Sequence, residues 1–268
     1  MNENNTIQFN NAITKALTDF KRRLEQQRSF QIQHTLLRKL HEEIKKINYC
    51  NLKLLEDLSI AYEDFYLKLS ESGRSYENLV EEKNLVDAYS AFEQFLFDCF
   101  CSLYTFFPKY LGTQVNINVA DLFIDENIEH FKRNIIELKV KNFIQANNIV
   151  AVLNEFKKKF GISKKKDLIS PEDIQVLYEL YLVRNILIHN NGIVNYVYIK
   201  QVNKLLKKNV KYKFKKGDTV LNELKNLVQD IKSTSTKVCE QITKVLQEES
   251  NRLEEHHKNK VTIQPVVP

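Results

Sequence analysis

An all-α fold is predicted by three features of the sequence. Glycine and proline are scarce, 5 and 4 among 268 residues, whereas an all-β chain of this length needs many tight turns that draw on both. Apolar residues recur at three- and four-residue steps over long stretches, the period of helices with one buried stripe. The few glycines and prolines stand where those stretches stop. Hydrophobic residues make up 43% and charged residues 28%, enough apolar material for a substantial core in one or two domains and unlike a disordered chain.

The first stripe runs from about Phe9 to Ile47 through Ile13, Leu17, Phe20, Leu24, Leu36, Leu37, Leu40 and Ile44. A second runs from about Leu52 to Leu69 and closes at Gly73, which can take the left-handed stop conformation. Together they predict an N-terminal helical hairpin over 1–73, either a separate unit or part of the core. The next helix, about Tyr76 to Phe107, is rich in aromatics from Tyr89 to Phe107 that read as core, with Pro108 at its end. An irregular stretch to about Asn127 precedes two helices, roughly Ile128–Asn142 and Asn148–Phe160, the second ended by Gly161. Ser170-Pro171-Glu172-Asp173 is a helix opening, with Ser170 as N-cap and Pro171 at the first helical position. That helix runs to about His189 and stops at Asn190-Asn191-Gly192. A Tyr/Val/Ile-rich stretch and a lysine-rich segment follow. The alternation from Tyr212 to Asp218 suggests a short hairpin or an extended arm. A long last helix spans about Thr219 to Leu253, and the residues from His256 to 268 form a loose tail. The main helical domain is thus 74–255.

Net charge is +6, from 40 Lys/Arg against 34 Asp/Glu. This mild excess permits binding to a polyanion without requiring it. The four cysteines show no paired metal-ligand spacing, and Cys99 and Cys101 sit in an apolar run that suits buried thiols. The adjacent His256 and His257 stand in a polar stretch without further ligands, so no metal site and no cofactor is expected. No phosphate-cradling glycine loop or nucleophile elbow is present, which removes most ATPases and serine hydrolases. The start of the chain lacks a basic, apolar leader, and Phe92–Leu111 is broken by Glu93, Asp98 and Lys109. No membrane segment is therefore expected, and a cytoplasmic location is the default.

Chemistry concentrates in one helix. Between Ile174 and Ile188 only Glu179 and Arg184 are charged, and apolar residues occur all round. Such a helix is normally covered on both sides, and a second copy of the chain is the simplest cover beyond its own core. Asn185 and His189 lie about 40° apart at about 100° per residue, one turn removed on one face. Arg184 is about 140° from His189 on the same wheel, but its long stem can fold back toward that spot. A buried arginine calls for an anion, either a carboxylate in the resting protein or a phosphate in function.

The run Arg184-Asn185-Ile186-Leu187-Ile188-His189, followed by Asn190-Asn191-Gly192, resembles the motif of the HEPN superfamily (higher eukaryotes and prokaryotes nucleotide-binding). Its signature is Arg, four to six residues beginning with a polar one, then His; the gap here is four. The resemblance covers roughly Tyr76 to Leu253 and includes the aromatic helix around Ala91-Phe92-Glu93-Gln94-Phe95-Leu96 with its embedded acid. It implies an HEPN-like helical bundle with an N-terminal hairpin and a long C-terminal helix. Two chains would pair in a homodimer with a composite active site that cuts RNA without metal.

On that resemblance, a 2′-OH attacks the neighbouring phosphate and leaves a 2′,3′-cyclic phosphate and a 5′-OH. His189 would move the proton, near a helix C-terminus where the dipole favours a charged ring. Arg184 would hold phosphoryl oxygens through its planar fork, and Asn185 would orient the ring or the phosphate. Glu93 would pair with Arg184 and tune His189, or serve only to neutralise the arginine. Lys164, Lys165, Lys166, Lys207 and Lys208 flank the motif in sequence and would form an RNA-steering rim, or merely solvate the surface. The expected role is that of a toxin or antiviral-defence effector held in check by an inhibitor or partner protein. Some toxin relatives carry a tyrosine two residues after the histidine that a partner modifies; Asn191 stands there, so that control is not supported. The alternative is a non-catalytic dimerisation, RNA-binding or scaffold module.

Overall fold

The structure is a computed structural model and describes residues 3–46, 67, 75–111, 127–159, 169–205 and 210–261. Among them the chain forms seven α-helices: α1 (Glu3–Lys46), α2 (Tyr76–Phe106), α3 (Ile128–Ala146), α4 (Ile149–Lys159), α5 (Pro171–Asn190), α6 (Tyr196–Leu205) and α7 (Leu224–Val261). Short 3-10 turns occupy Pro108–Leu111 and Val220–Glu223. No strand occurs among the described residues, only an isolated antiparallel bridge between Ile193 and Thr219. The all-α expectation holds. No helix among the described residues is long and apolar enough to cross a membrane.

Helices α1, α2 and α7 pack on one another, and α5 lies against α7, α4 and α2. On α1, Phe9, Ile13, Ala16 and Phe20 are buried at helical spacing. Phe9 meets Phe106 and Phe107 edge-on at 5.9 and 5.0 Å, and Phe20 lies 6.0 Å from Phe95. Near the other end, Arg38 pairs with Glu77. The three pairings run in opposite order along the two helices, so α1 and α2 are antiparallel, and the first helix shares the core of α2. Burial of rings this size stabilises by roughly 1.5–3 kcal/mol each.

Leu36, placed on the apolar stripe predicted along α1, is exposed. It falls about 160° round the wheel from Phe20, outside the buried face. Apart from Leu67, the second limb of the expected hairpin, with Gly73, lies outside the described residues, as do Gly161 and most of the irregular stretch before Asn127.

The aromatic run on α2 is core as expected, with Tyr89, Phe92, Phe95, Phe100 and Tyr104 buried. Cys99 and Cys239 are buried free thiols, and burial pushes both well above the ordinary thiol range. α7 buries Leu224, Leu227, Val228, Ile231, Val238, Ile242, Val245 and Leu246, a continuous i, i+3, i+4 seam. It runs through His256 to Val261, so the loose tail expected from His256 is helical at its start; residues 262–268 lie outside the described part.

No helix is predicted after Asn195 from the residue pattern, yet α6 forms there. Asn195 Oδ1 accepts from the Tyr198 N–H at 2.9 Å and so caps it. Beyond α6, the Tyr212–Asp218 stretch takes the arm alternative rather than the hairpin. It lies against the body of the protein, with Phe214 edge-on to Tyr198 of α6 at 6.2 Å and stacked with Tyr212 at 5.9 Å.

Candidate active site

α5 begins and ends as its sequence requires. Ser170 Oγ accepts from the Asp173 N–H at 3.0 Å, and Pro171 opens the helix without wasting a donor. At the other end Asn191 and Gly192 are both left-handed, with φ of 52° and 77°, and the Gly192 N–H donates to Ile186 O at 3.2 Å. A Cβ at Gly192 would stand 3.0 Å from Leu221 Cδ2, so this stop is shaped for glycine in both angle and space. The stop fixes His189 on the last turn.

Most of the apolar surface of α5 is covered by its own chain. Leu177, Tyr178, Glu179, Leu180, Leu182, Val183, Ile186 and Leu187 are buried against α7, α4, α2 and α6. The second copy that the all-round apolar pattern calls for is not needed for most of the helix. Beyond its first two turns, what stays uncovered is a narrow strip: Tyr181, Arg184 and Asn185 are half-buried, and Ile188 and His189 are exposed.

Part of that strip forms one wall of a cleft of about 500 Å³ between α2, α3 and α5. Ser90, Glu93, Gln94 and Phe97 line it from α2, Lys141, Ile144 and Gln145 from α3, and Tyr181 and Arg184 from α5. Arg184 Nη1 donates to Asn185 Oδ1 at 3.1 Å. Its Nε is buried without a hydrogen-bond partner among the described residues. Burial pushes the Glu93 carboxyl above the usual carboxylate range, and the charge of Arg184 offsets part of that rise. Behind them Tyr89 is fully buried, 6.0 Å from the Tyr181 ring. Burial and the Glu93 charge push its hydroxyl far up, so it stays protonated. The cleft therefore carries two cations against one carboxylate that resists ionising, an arrangement suited to an anion.

The sequence-derived residues are brought together only in part. Glu93 and Arg184 share the cleft, but they form no direct ion pair. Asn185, expected to orient the His189 ring or the phosphate, has its side-chain oxygen bonded by Arg184. The imidazole of His189 makes no hydrogen bond with any described residue, and His189 is exposed and not among the residues lining the cleft. Lys164, Lys165, Lys166, Lys207 and Lys208 lie outside the described residues. Sequence reasoning missed Lys141 and Tyr181 as cleft residues. Tyr181 was readable, because it lies one turn before Arg184 on the same face. Lys141 was not, since only the packing of α3 on α2 brings it there.

Glu179, the other charged residue between Ile174 and Ile188, is fully buried. Its carboxylate accepts from the Lys211 N–H at 2.9 and 3.1 Å and from the Tyr212 N–H at 3.0 Å. It thus straps the arm to the back of α5. Comparison with family models, with curated proteins and with solved structures finds no match to this chain.

Proposed function

We propose that the chain is a metal-independent endoribonuclease acting as a toxin or antiviral-defence effector. The observation that carries this reading is Arg184, whose guanidinium sits in the cleft wall with one nitrogen held by Asn185 and Nε buried and without a partner among the described residues. A buried cationic donor without an acceptor is costly. A phosphodiester oxygen would relieve it, and a planar fork binds phosphoryl oxygens well.

The chemistry needs little beyond that grip, because RNA brings its own nucleophile. The 2′-oxygen attacks phosphorus, the bond to the 5′-oxygen breaks, and one proton leaves the first oxygen while another reaches the second. Arg184 and Lys141 neutralise the charge that gathers on the phosphoryl oxygens. His189, exposed and without a competing hydrogen bond, exchanges one of the two protons with the reacting group. The other falls to His189 of the partner subunit in a homodimer built on the strip Tyr181, Arg184, Asn185, Ile188 and His189. The products are a 2′,3′-cyclic phosphate and a 5′-hydroxyl.

The test is digestion of single-stranded RNA in EDTA with mapping of the ends. Arg184→Ala and His189→Ala are each expected to lower the rate about 10²–10⁴-fold while circular dichroism stays helical. Cutting that persists in both rejects the mechanism, and a monomer in sedimentation at working concentration rejects the shared site. A non-catalytic RNA-binding or scaffold module is the second reading, favoured by His189 standing outside the cleft. RNA binding with no cutting by the intact chain would select it.

A further inference from the structure

The segment from Leu180 to Gly217 contains nine Lys/Arg and no Asp or Glu. Since the whole chain carries +6, everything outside this segment is net negative. The positive excess of the protein is therefore concentrated in one continuous piece, the piece that begins at Arg184 and His189. Folding leaves the described lysines of this piece facing outward. On α6, Tyr196, Lys200 and Lys204 are exposed at i, i+4, i+8, one stripe with steps of about 6 Å along the helix. In the arm, Tyr212 and Phe214 turn inward and pack, so Lys213, Lys215 and Lys216 face solvent. The two parts adjoin through Tyr198 and Phe214 at 6.2 Å.

These lysines are unspent. Lys211 is held by Asp230 at 2.5 Å, but Lys200, Lys204, Lys213, Lys215 and Lys216 make no ion pair with any described residue. The nearest acid in sequence is Asp218, whose carboxylate already accepts from the Lys215 N–H at 2.7 Å. Tyr196 is 67% exposed, a large ring in solvent at the head of the stripe that carries Lys200 and Lys204. The surface is also fixed to the candidate site: the Val194 N–H donates to Asp218 O, and the Gly217 N–H to Val194 O, each at 2.8 Å. These bonds tie the end of the arm to the loop that follows His189.

We propose that α6 and the arm form a binding track for single-stranded RNA, separate from the cleft, in which Tyr196 stacks on a base and Lys200, Lys204, Lys213, Lys215 and Lys216 hold the phosphates. This rests on the endoribonuclease reading for the identity of the polymer, but the track binds whether or not the cleft cuts. Cations spaced along a groove or stripe follow a backbone without reading sequence, and an exposed ring offers a sequence-tolerant platform to an unpaired base. A base inside a duplex cannot reach such a ring, which is why the track selects single strands.

The test is fluorescence anisotropy of a labelled single-stranded RNA, with the full chain carrying His189→Ala so that nothing is cut. The triple variant K213Q/K215Q/K216Q is expected to bind more weakly and to flatten the salt dependence of log K by about 2, since each phosphate no longer neutralised takes about 0.7 from the slope. Tyr196→Ala is expected to weaken binding at least about fivefold with the salt slope unchanged. A single DNA strand competes and an RNA duplex does not. Unchanged affinity in both variants overturns the track, as does a duplex that competes equally. If the chain binds no RNA at low salt and the substitutions change its sedimentation instead, the surface is a protein contact and the proposal is wrong. All six residues are solvent-facing, and circular dichroism with Lys213→Arg, which should bind normally, separates a binding defect from unfolding. Normal binding by the track with no cutting by the unsubstituted chain sinks the nuclease reading alone. Cutting that survives with unchanged affinity in the track variants sinks this proposal alone.

Discussion

The back and the front of α5 each place a carboxylate away from bulk water, and they treat it in opposite ways. At the back, Glu179 has its lone pairs filled by the amides of Lys211 and Tyr212. At the front, Glu93 makes no hydrogen bond with any described residue and faces an arginine whose Nε is equally unserved. Burial pushes both carboxyls above their ordinary range; two backbone amides oppose that at Glu179, and only the charge of Arg184 does so at Glu93. A buried polar group saturated by the backbone is a structural fastening. One left unsaturated beside an unsaturated partner is open to a ligand. The same helix therefore carries a strap on one side and a candidate site on the other.

The comparison breaks most sharply at the strap. Glu179→Ala strands two amide donors, one of them on buried Tyr212, and is expected to cost about 2–4 kcal/mol. Urea unfolding would measure the loss, and amide exchange at Lys211 and Tyr212 should speed up selectively. If stability is unchanged, the arm does not depend on this carboxylate and the back of α5 is no fastening.

The corner joining the two faces gives a smaller effect. Gly192 is at φ 77° with Leu221 3.0 Å from where a Cβ would stand. Gly192→Ala combines left-handed strain with a tight contact, for an expected loss of about 1–2 kcal/mol. Thermal unfolding would show it. Because His189 sits three residues earlier, RNA cutting should fall with the stop loosened, although no reacting group has been touched.

The ends of α5 were more legible than either of its faces. Ser170, Pro171, Asn191 and Gly192 act through bonds to residues a few positions away, so their signals are local and survive into the structure. The helices with long unbroken stripes were legible for the same reason. α6 was not, because its tyrosines, valine and isoleucine read as strand material, and the capping Asn195 was the one overlooked signal. The arm misled in the other direction: its alternation is real, but the amide partners come from Glu179 on a helix rather than from a neighbouring strand. At the site, the arginine, asparagine and histidine could be named from spacing, while their bonding could not. A wheel places Asn185 beside His189, yet the side chain turns to its immediate neighbour Arg184. Glu93 could be named only through the family resemblance, and Lys141 enters only through the packing of α3 on α2, which no local pattern encodes.

The smallest effect sharpens the comparison most. Burial raises the Glu93 carboxyl in the folded chain, so below its unfolded pKa the group is protonated in both states and costs nothing. As pH rises through the folded value, the native state must hold a carboxylate where it is disfavoured, and stability is lost. Glu93→Gln removes that cost while keeping the shape. It should leave the melting temperature unchanged in acid and raise it slightly near neutrality, by an amount worth about 1 kcal/mol or less. Melting curves across the acid-to-neutral range would trace the crossover. A fall in Tm at neutral pH would have the opposite meaning: Glu93 would then be holding Arg184 as Glu179 holds the arm, and the front of α5 would be a second fastening with no place for a phosphate.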